Sequence, residues 1–197
     1  MKRSVNIIGL VFSILMLFGV AKADQLAFVT TLTGSQEVPP TGSPGIGSGL
    51  VTLDTVTNML TVNVSFSGLL SPTIASHIHC CTPPGVNAMV ATAVPTFPGF
   101  PLGVTTGTYL QTFDLTLAST YNPAYITAHG GTVAGAQAAF IAGLQSGQTY
   151  LNIHTSQFPG GEIRGQLQAV PEPATLFLLG TGIVGSAGAL RKRRKRR

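Results

Sequence analysis

The sequence predicts a mainly β protein: an antiparallel β-sandwich with one short helix, preceded by an N-terminal signal helix and followed by a C-terminal transmembrane helix. Three observations predict this architecture. Seven short segments rich in β-branched residues alternate with a two-residue period between Gly/Pro turns, one Ala-rich segment has helical spacing, and both ends of the chain combine apolar runs with basic residues. The 197-residue chain is long enough for one domain with a buried core.

The N-terminal segment has the pattern of a secretory signal peptide. Met1 is followed by two basic residues, and Ile7–Val20 supplies an apolar core. Ala21 and Ala23 place small residues where signal peptidase requires them. We therefore expect residues 1–23 to be removed by cleavage after Ala23.

The strands of the predicted sandwich follow in the exported body, residues 24–169. The segment Asp54–Asn58 is polar between two alternating runs and predicts a hairpin loop. The predicted strands are Leu26–Thr33, Gly49–Asp54, Met59–Phe66, Ile74–His79, Thr112–Leu117, Tyr150–His154 and Glu162–Gln168.

One helix and one proline-rich loop interrupt the strands. Thr132–Leu144 is Ala-rich, and its bulky residues recur close to one helical face, so a short helix is expected there. Val94–Gly103 contains three prolines and cannot pair as a central strand. Its Phe97, Phe100 and Leu102 predict an ordered surface loop.

The C-terminal segment, residues 170–197, predicts a membrane anchor. Ala174–Leu190 carries no charge and as a helix would span about 26 Å, slightly less than the roughly 30 Å hydrocarbon layer. The seven consecutive cations of Arg191–Arg197 are expected to stay in the cytoplasm. The body before Val170 would then lie on the far side of the membrane.

The charge of the body differs from that of the whole chain. The formal net charge of the chain is +5, but between residues 24 and 169 the sole Lys or Arg is Arg164, against five acidic residues. A basic surface for phosphate contacts is therefore lacking, and a nucleic-acid partner is excluded. The sequence also contains no GxSxG motif, no phosphate-binding Gly loop and no paired carboxylates with the signature of a catalytic cleft.

Three histidines are candidate metal ligands. His77 and His79 are two positions apart on a predicted strand, so both side chains point to one face. His154 can supply a third ligand if its strand lies beside or opposite theirs, and imidazoles suit copper or zinc. Two interpretations remain open: a mononuclear copper or zinc site, or histidines that pack and form hydrogen bonds at the strand ends. His129, in a Gly-rich loop, is expected to be solvent-exposed.

Cys80 and Cys81 are the two cysteines of the chain. Export implies an oxidising environment, and three outcomes compete there: a vicinal disulfide, thiols that bind a soft metal beside His79, or pairing with another chain. We expect the vicinal disulfide. A disulfide to a distant partner in the same chain is excluded by the count.

Arg164 is expected to form a structural ion pair. Glu162 and Arg164 are two positions apart on a predicted strand, which places both on one side of the sheet. Glu37, in a proline-containing turn, is a second candidate partner. Such pairs more often serve structure than chemistry.

The sequence resembles two known families. GSQEVPP (34–40), SHIH (76–79) and YLNIHTSQFPGGEIRGQL (150–167) resemble the CHRD domain, which implies an immunoglobulin-like or superoxide-dismutase-like sandwich and brings no established catalytic activity. Pro171-Glu172-Pro173, the apolar run and the Arg-rich end resemble the PEP-CTERM sorting signal, which implies bacterial export, processing by an exosortase in the inner membrane and delivery to the envelope surface or extracellular matrix.

Two functions follow from these observations. The first is a non-enzymatic surface or matrix protein of a Gram-negative bacterium, anchored transiently in the membrane, that interacts with exopolysaccharide, an envelope protein or a metal ion. The alternative is a copper/zinc metalloenzyme, because His77-Ile78-His79 also resembles a copper-ligand pair of copper/zinc superoxide dismutase. The four histidines of this chain are too few for that enzyme's dinuclear site.

Overall fold

The computed structural model describes residues 25–171. Within this range the chain forms nine strands, two α-helices and two short 3₁₀ helices, Gly34–Gln36 and Ala118–Thr120. The strands are β1 (Gln25–Thr33), β2 (Ile46–Asp54), β3 (Met59–Ser67), β4 (Thr73–Cys80), β5 (Met89–Val90), β6 (Gly107–Asp114), β7 (Thr149–Thr155), β8 (Ile163–Gln166) and β9 (Gln168–Ala169). The helices are α1 (Pro123–Ala128) and α2 (Val133–Gln145).

The strands form one strongly curled antiparallel sheet in the order β5-β4-β7-β8-β1-β2-β3-β6, with β9 pairing β1. The predicted sandwich of two separate sheets is therefore corrected. The reason lies in β1, which pairs with β2 along its whole length and also bonds β8 at Thr33 and β9 at Phe28 and Val29. Because β1 bonds to β2 on one edge and to β8 and β9 on the other, the strands form one continuous sheet.

The curled sheet and α2 enclose a single hydrophobic core. Leu32 on β1, Val62 on β3 and Ile153 on β7 are all fully buried in one cluster, although they come from different parts of the sheet. Phe140 and Leu144 of α2 pack into the same cluster. The alternating apolar residues of the strands thus face one shared interior, as their two-residue period predicts.

The predicted hairpin between β2 and β3 is confirmed. The register runs without a shift from Ile46 opposite Ser67 to Asp54 opposite Met59. Asp54 accepts hydrogen bonds from the backbone N–H groups of Val56 and Thr57, and Asn58 adopts a positive φ of 59°. Asp and Asn supply these turn conformations at low cost.

The helix predicted over Thr132–Leu144 is confirmed as α2. The Thr132 hydroxyl caps its first turn by accepting from the Gly135 N–H. The expectation of one helix is corrected to two, because α1 precedes it. Asn122 caps α1 by accepting from the Ala124 N–H, and Pro123 occupies the first helical position.

The strand predicted over Thr112–Leu117 has other bounds in the structure. β6 runs over Gly107–Asp114 and pairs with β3 from Phe66 to Met59. The Asp114 carboxylate accepts from both the N–H and the hydroxyl of Thr116, which turns the chain at this point. The two-residue strand β5 had no signal in the sequence.

The proline-rich segment 94–103 is an ordered loop, and it also contributes to the core. Phe97 is fully buried and Phe100 is 5% exposed. The Phe97 ring lies against the Tyr109 ring at a centroid distance of 5.7 Å. The backbone N–H of Phe97 donates to the Ser76 carbonyl at 3.0 Å. The loop thus runs along β4 and closes one end of the core.

The predicted signal helix and the predicted transmembrane helix lie outside the described residues. Within residues 25–171, no helix has the length and apolar character needed to cross a membrane.

Replacing Phe97 by Ala tests whether this loop is part of the core. We expect a loss of about 3 to 5 kcal/mol in the free energy of unfolding, because a fully buried aromatic ring leaves a cavity. Leu102→Ala, in the same loop but at a side chain that is 52% exposed, is the matched control and should cost less than about 1 kcal/mol. Urea unfolding of both variants measures the difference, and equal losses would contradict the assignment.

Candidate metal centre

The pairing of β4 with β7 brings the predicted histidines together. His77 lies opposite Asn152, His79 opposite Tyr150, and His154 opposite Ala75. Because paired residues and residues two apart share a face, all three histidines project from one side of this strand pair. The strand of His154 thus lies beside the strand of His77 and His79.

The three imidazoles form a compact buried cluster. One ring nitrogen from each of His77, His79 and His154 lies within 4.8 Å of the others. The three residues are only 5%, 7% and 8% exposed. Within residues 25–171, these three histidines form the cluster of potential metal-binding side chains whose ligand atoms lie close together.

The second nitrogen of each ring bonds to a backbone carbonyl in a loop. The bonds join His77 Nε2 to Pro95 O (2.7 Å), His79 Nδ1 to Ala88 O (2.9 Å) and His154 Nδ1 to Pro159 O (2.9 Å). A carbonyl oxygen only accepts, so each of these nitrogens carries the ring proton and donates it. This fixes both the tautomer and the orientation of the three rings, as is usual for histidines that bind metals.

The opposite nitrogens therefore present lone pairs to a common centre. His77 Nδ1 and His154 Nε2 are 3.2 Å apart, and His79 Nε2 is buried without a hydrogen-bond partner. Two nitrogens bound to one tetrahedral metal ion at about 2.0–2.1 Å would lie about 3.3 Å apart. The observed spacing thus matches that of two ligands of a single ion.

Burial keeps the imidazoles neutral. It lowers the pKa of His77 to about 4, helped by the neighbouring His154, and it lowers the pKa of His79 to about 4. It also lowers the pKa of His154. Because a metal ion binds the neutral imidazole, protons compete weakly with it at neutral pH.

Tyr150 supports His79 from the side of β7. The two rings stack at a centroid distance of 4.6 Å with planes 11° apart. The Tyr150 hydroxyl accepts from the Ala88 N–H at 3.1 Å, on the same residue whose carbonyl holds His79. Arg164 lies on the other face of the Tyr150 ring, 4.5 Å from its centre. Tyr150 was missed at the level of sequence, although its alternation with Asn152 and His154 places it on this face.

The two carboxylates predicted for Arg164 have different surroundings. Arg164 Nε lies 4.0 Å from Glu37 Oε2, and Arg164 Nη1 donates to Asn87 at 2.8 Å. The Glu162 carboxylate belongs to another network, and Glu162 precedes β8, which begins at Ile163. Its oxygens accept from the Ser43 hydroxyl, the Leu70 N–H and the Thr155 hydroxyl.

Glu37, the carboxyl group beside Arg164, is buried. Desolvation raises its pKa to about 7, although Arg164 and a hydrogen bond from Asn152 act against the rise. The Oε1 atom of Glu37 and the Oδ1 atom of Asn152 are buried without hydrogen-bond partners. Gly161 lies against both side chains, in a backbone conformation with a φ of 130°.

The other two sequence candidates lie apart from this centre. Cys80 and Cys81 form a disulfide with each other, and their sulfurs pack against Gly143 of α2. Cys80 belongs to the hydrophobic core, on the face of β4 opposite to His79. His129 follows α1 and donates to the Tyr125 carbonyl at 2.8 Å.

Replacing Gly161 by Ala tests the tight packing beside Glu37. A Cβ atom would lie 2.6 Å from Glu37 Oε1 and 2.6 Å from Asn152 Nδ2, and the positive φ disfavours a side chain. We expect a loss of about 2 kcal/mol or more in the free energy of unfolding. Gly160→Ala is the matched control, because its Cβ meets no atom within 4 Å. If both variants unfold at the same urea concentration, the packing argument fails.

The lowered pKa values of the histidines predict a pH-dependent stability in the metal-free protein. Between the unfolded pKa of about 6.5 and the folded value of about 4, the unfolded chain binds more protons at His77 and His79, so stability falls as the pH is lowered. Glu37 acts in the opposite sense between 4.5 and about 7. Urea unfolding from pH 7 to pH 4 should therefore show a steeper decline for the parent than for a His77→Gln/His79→Gln variant. Identical declines would contradict this account.

Comparison with protein families agrees with the resemblances seen in the sequence. The CHRD domain model matches residues 28–167, and the PEP-CTERM protein-sorting motif matches residues 169–195. Neither the comparison with curated proteins nor that with solved structures gave a match. The predicted cleavage residues Ala21 and Ala23 and the sorting residues Glu172 and Pro173 lie outside the described residues, whereas Pro171 is the last residue within them. The chain belongs to the CHRD domain family and carries a C-terminal PEP-CTERM sorting motif.

Proposed function

We propose that this chain is an exported envelope-surface or matrix protein whose CHRD domain binds one transition metal ion, copper or zinc, through His77, His79 and His154, without catalytic turnover. The PEP-CTERM motif implies export and sorting by an exosortase. Anchoring in the inner membrane of a Gram-negative bacterium before sorting, and contact with exopolysaccharide or envelope proteins afterwards, are further parts of this proposal.

One observation carries the metal-binding function: three buried imidazole lone pairs converge while their ring N–H groups donate to loop carbonyls. Histidines that served packing alone would be expected to pair both nitrogens, because a buried polar atom without a partner costs about 1–3 kcal/mol. A bound ion would satisfy all three lone pairs at once. Among the side chains that the structure describes, the cluster consists of three imidazoles, without a carboxylate or thiol.

Metal analysis of the purified full-length chain tests the proposal. After equilibration with copper or zinc and removal of free ion, we expect about one ion per chain in the parent and less than a tenth of that in a His77→Ala/His79→Ala variant. His129→Ala is the matched control and should bind as the parent does, because His129 lies apart from the cluster. Binding should also raise the melting temperature of the parent but not that of the double variant.

The outcomes separate the two functional classes. Unchanged metal content in the double variant would overturn the proposed ligand set. The copper-loaded parent is also assayed for superoxide dismutation, and rapid turnover that is lost in the double variant would favour the metalloenzyme over the binding protein.

A further inference from the structure

The proposed ligands bring no negative charge to the ion. All three are neutral imidazoles, and each is held by a neutral backbone carbonyl rather than by a carboxylate. A carboxylate in that second position would add negative charge and increase the basicity of the ring. The full charge of a bound ion therefore stays uncompensated by its ligands.

A fixed positive charge lies close to the cluster in the described part of the chain. The Arg164 guanidinium is separated from His79 by the ring of Tyr150, which it contacts on one face while His79 stacks on the other. Its carboxylate neighbour, Glu37, has a pKa raised to about 7 and compensates the guanidinium only in part.

The remaining carboxylates of the described residues do not face this cluster. Glu162 accepts hydrogen bonds from Ser43, Leu70 and Thr155 in a separate network. Asp54 and Asp114 accept backbone hydrogen bonds in the turns that follow β2 and β6. The cluster is thus a buried, neutral set of three nitrogen donors in a weakly positive surrounding.

Such a site discriminates between ions by their charge and coordination number. The free-energy cost of moving an ion from water into a poorly polarisable interior grows with the square of its charge, so it is about four times greater for a divalent than for a monovalent ion of similar size. Zinc held by three histidines needs a fourth ligand such as water, whereas Cu(I) is stable with only two or three ligands. We propose, on the basis of the metal-binding function above, that the cluster of His77, His79 and His154 selects Cu(I) over Cu(II) and Zn(II).

Competition titrations on the purified full-length chain test this selection. Cu(I) is titrated under anaerobic conditions against a chromophoric Cu(I) chelator, and Cu(II) and Zn(II) are titrated against divalent-ion chelators. We expect the Cu(I) dissociation constant to be at least about tenfold lower than that of either divalent ion. Copper reduced with ascorbate should also stay silent in electron paramagnetic resonance spectra during exposure to air. Binding of Cu(II) or Zn(II) as tight as that of Cu(I) would overturn the selection, whereas failure of every ion to bind would overturn the proposed function itself.

Two charge-changing variants should shift the selection in opposite directions. Arg164→Gln removes the nearby cation and should lower the ratio of Cu(I) to Cu(II) affinity by about tenfold, because a divalent ion gains more than a monovalent one from its loss. Glu37→Gln removes the partial negative charge at nearly constant shape and should raise the same ratio. Glu37→Gln also keeps the test valid if Arg164→Gln fails to fold. A shift of the Glu37→Gln ratio in the downward direction, or no shift in either folded variant, would overturn the electrostatic argument.

Discussion

The pairing of β4 with β7 is the constraint on which the rest of this structure depends. Its register sets His77, His79 and His154 on one face, and their burial obliges every ring nitrogen to find a partner. Backbone carbonyls of three separate loops meet half of this demand. The loops are in turn ordered by contacts on the same strands, as Phe97 shows by donating to Ser76 of β4. The site and its covering loops therefore form together.

Strand alternation predicted that His77 and His79 share a face, but it did not predict the groups that hold the histidine rings. The spacing of His77 and His79 requires a shared face on any strand, and the approach of His154 depended only on which strand became its neighbour. The carbonyls that orient the rings belong to Ala88, Pro95 and Pro159, and a backbone acceptor has no side-chain signature in a sequence. The separation of Glu162 from Arg164 was equally hidden, because alternation applies only from the first residue of a strand, and β8 begins at Ile163.

The sequence predicted the fold class, but it did not predict whether the strands form one sheet or two. Two-residue periods predicted β1 and β3 well, because each buries mainly one face, whereas β4 and β7 are buried on both faces. Whether those strands make two sheets or one is decided by a few backbone bonds on the second edge of β1, at Thr33, Phe28 and Val29. Such pairing over a long sequence separation leaves no local pattern. The helix α1 did carry a local signal, since Asn122 followed by Pro123 is a favourable start for a helix.

The choice between packing and metal binding can be argued from the cost of this cluster. Three imidazoles, Asn152, Glu37 and Arg164 are all buried in a body with few charges, and burying polar groups costs free energy unless each finds a partner. Packing alone would leave His79 Nε2 unpartnered and two lone pairs facing each other across 3.2 Å. Aliphatic side chains on the same strands would avoid both costs. A cation at the centre would turn the facing lone pairs from a repulsive into an attractive arrangement, which is the physical basis of the proposed metal site.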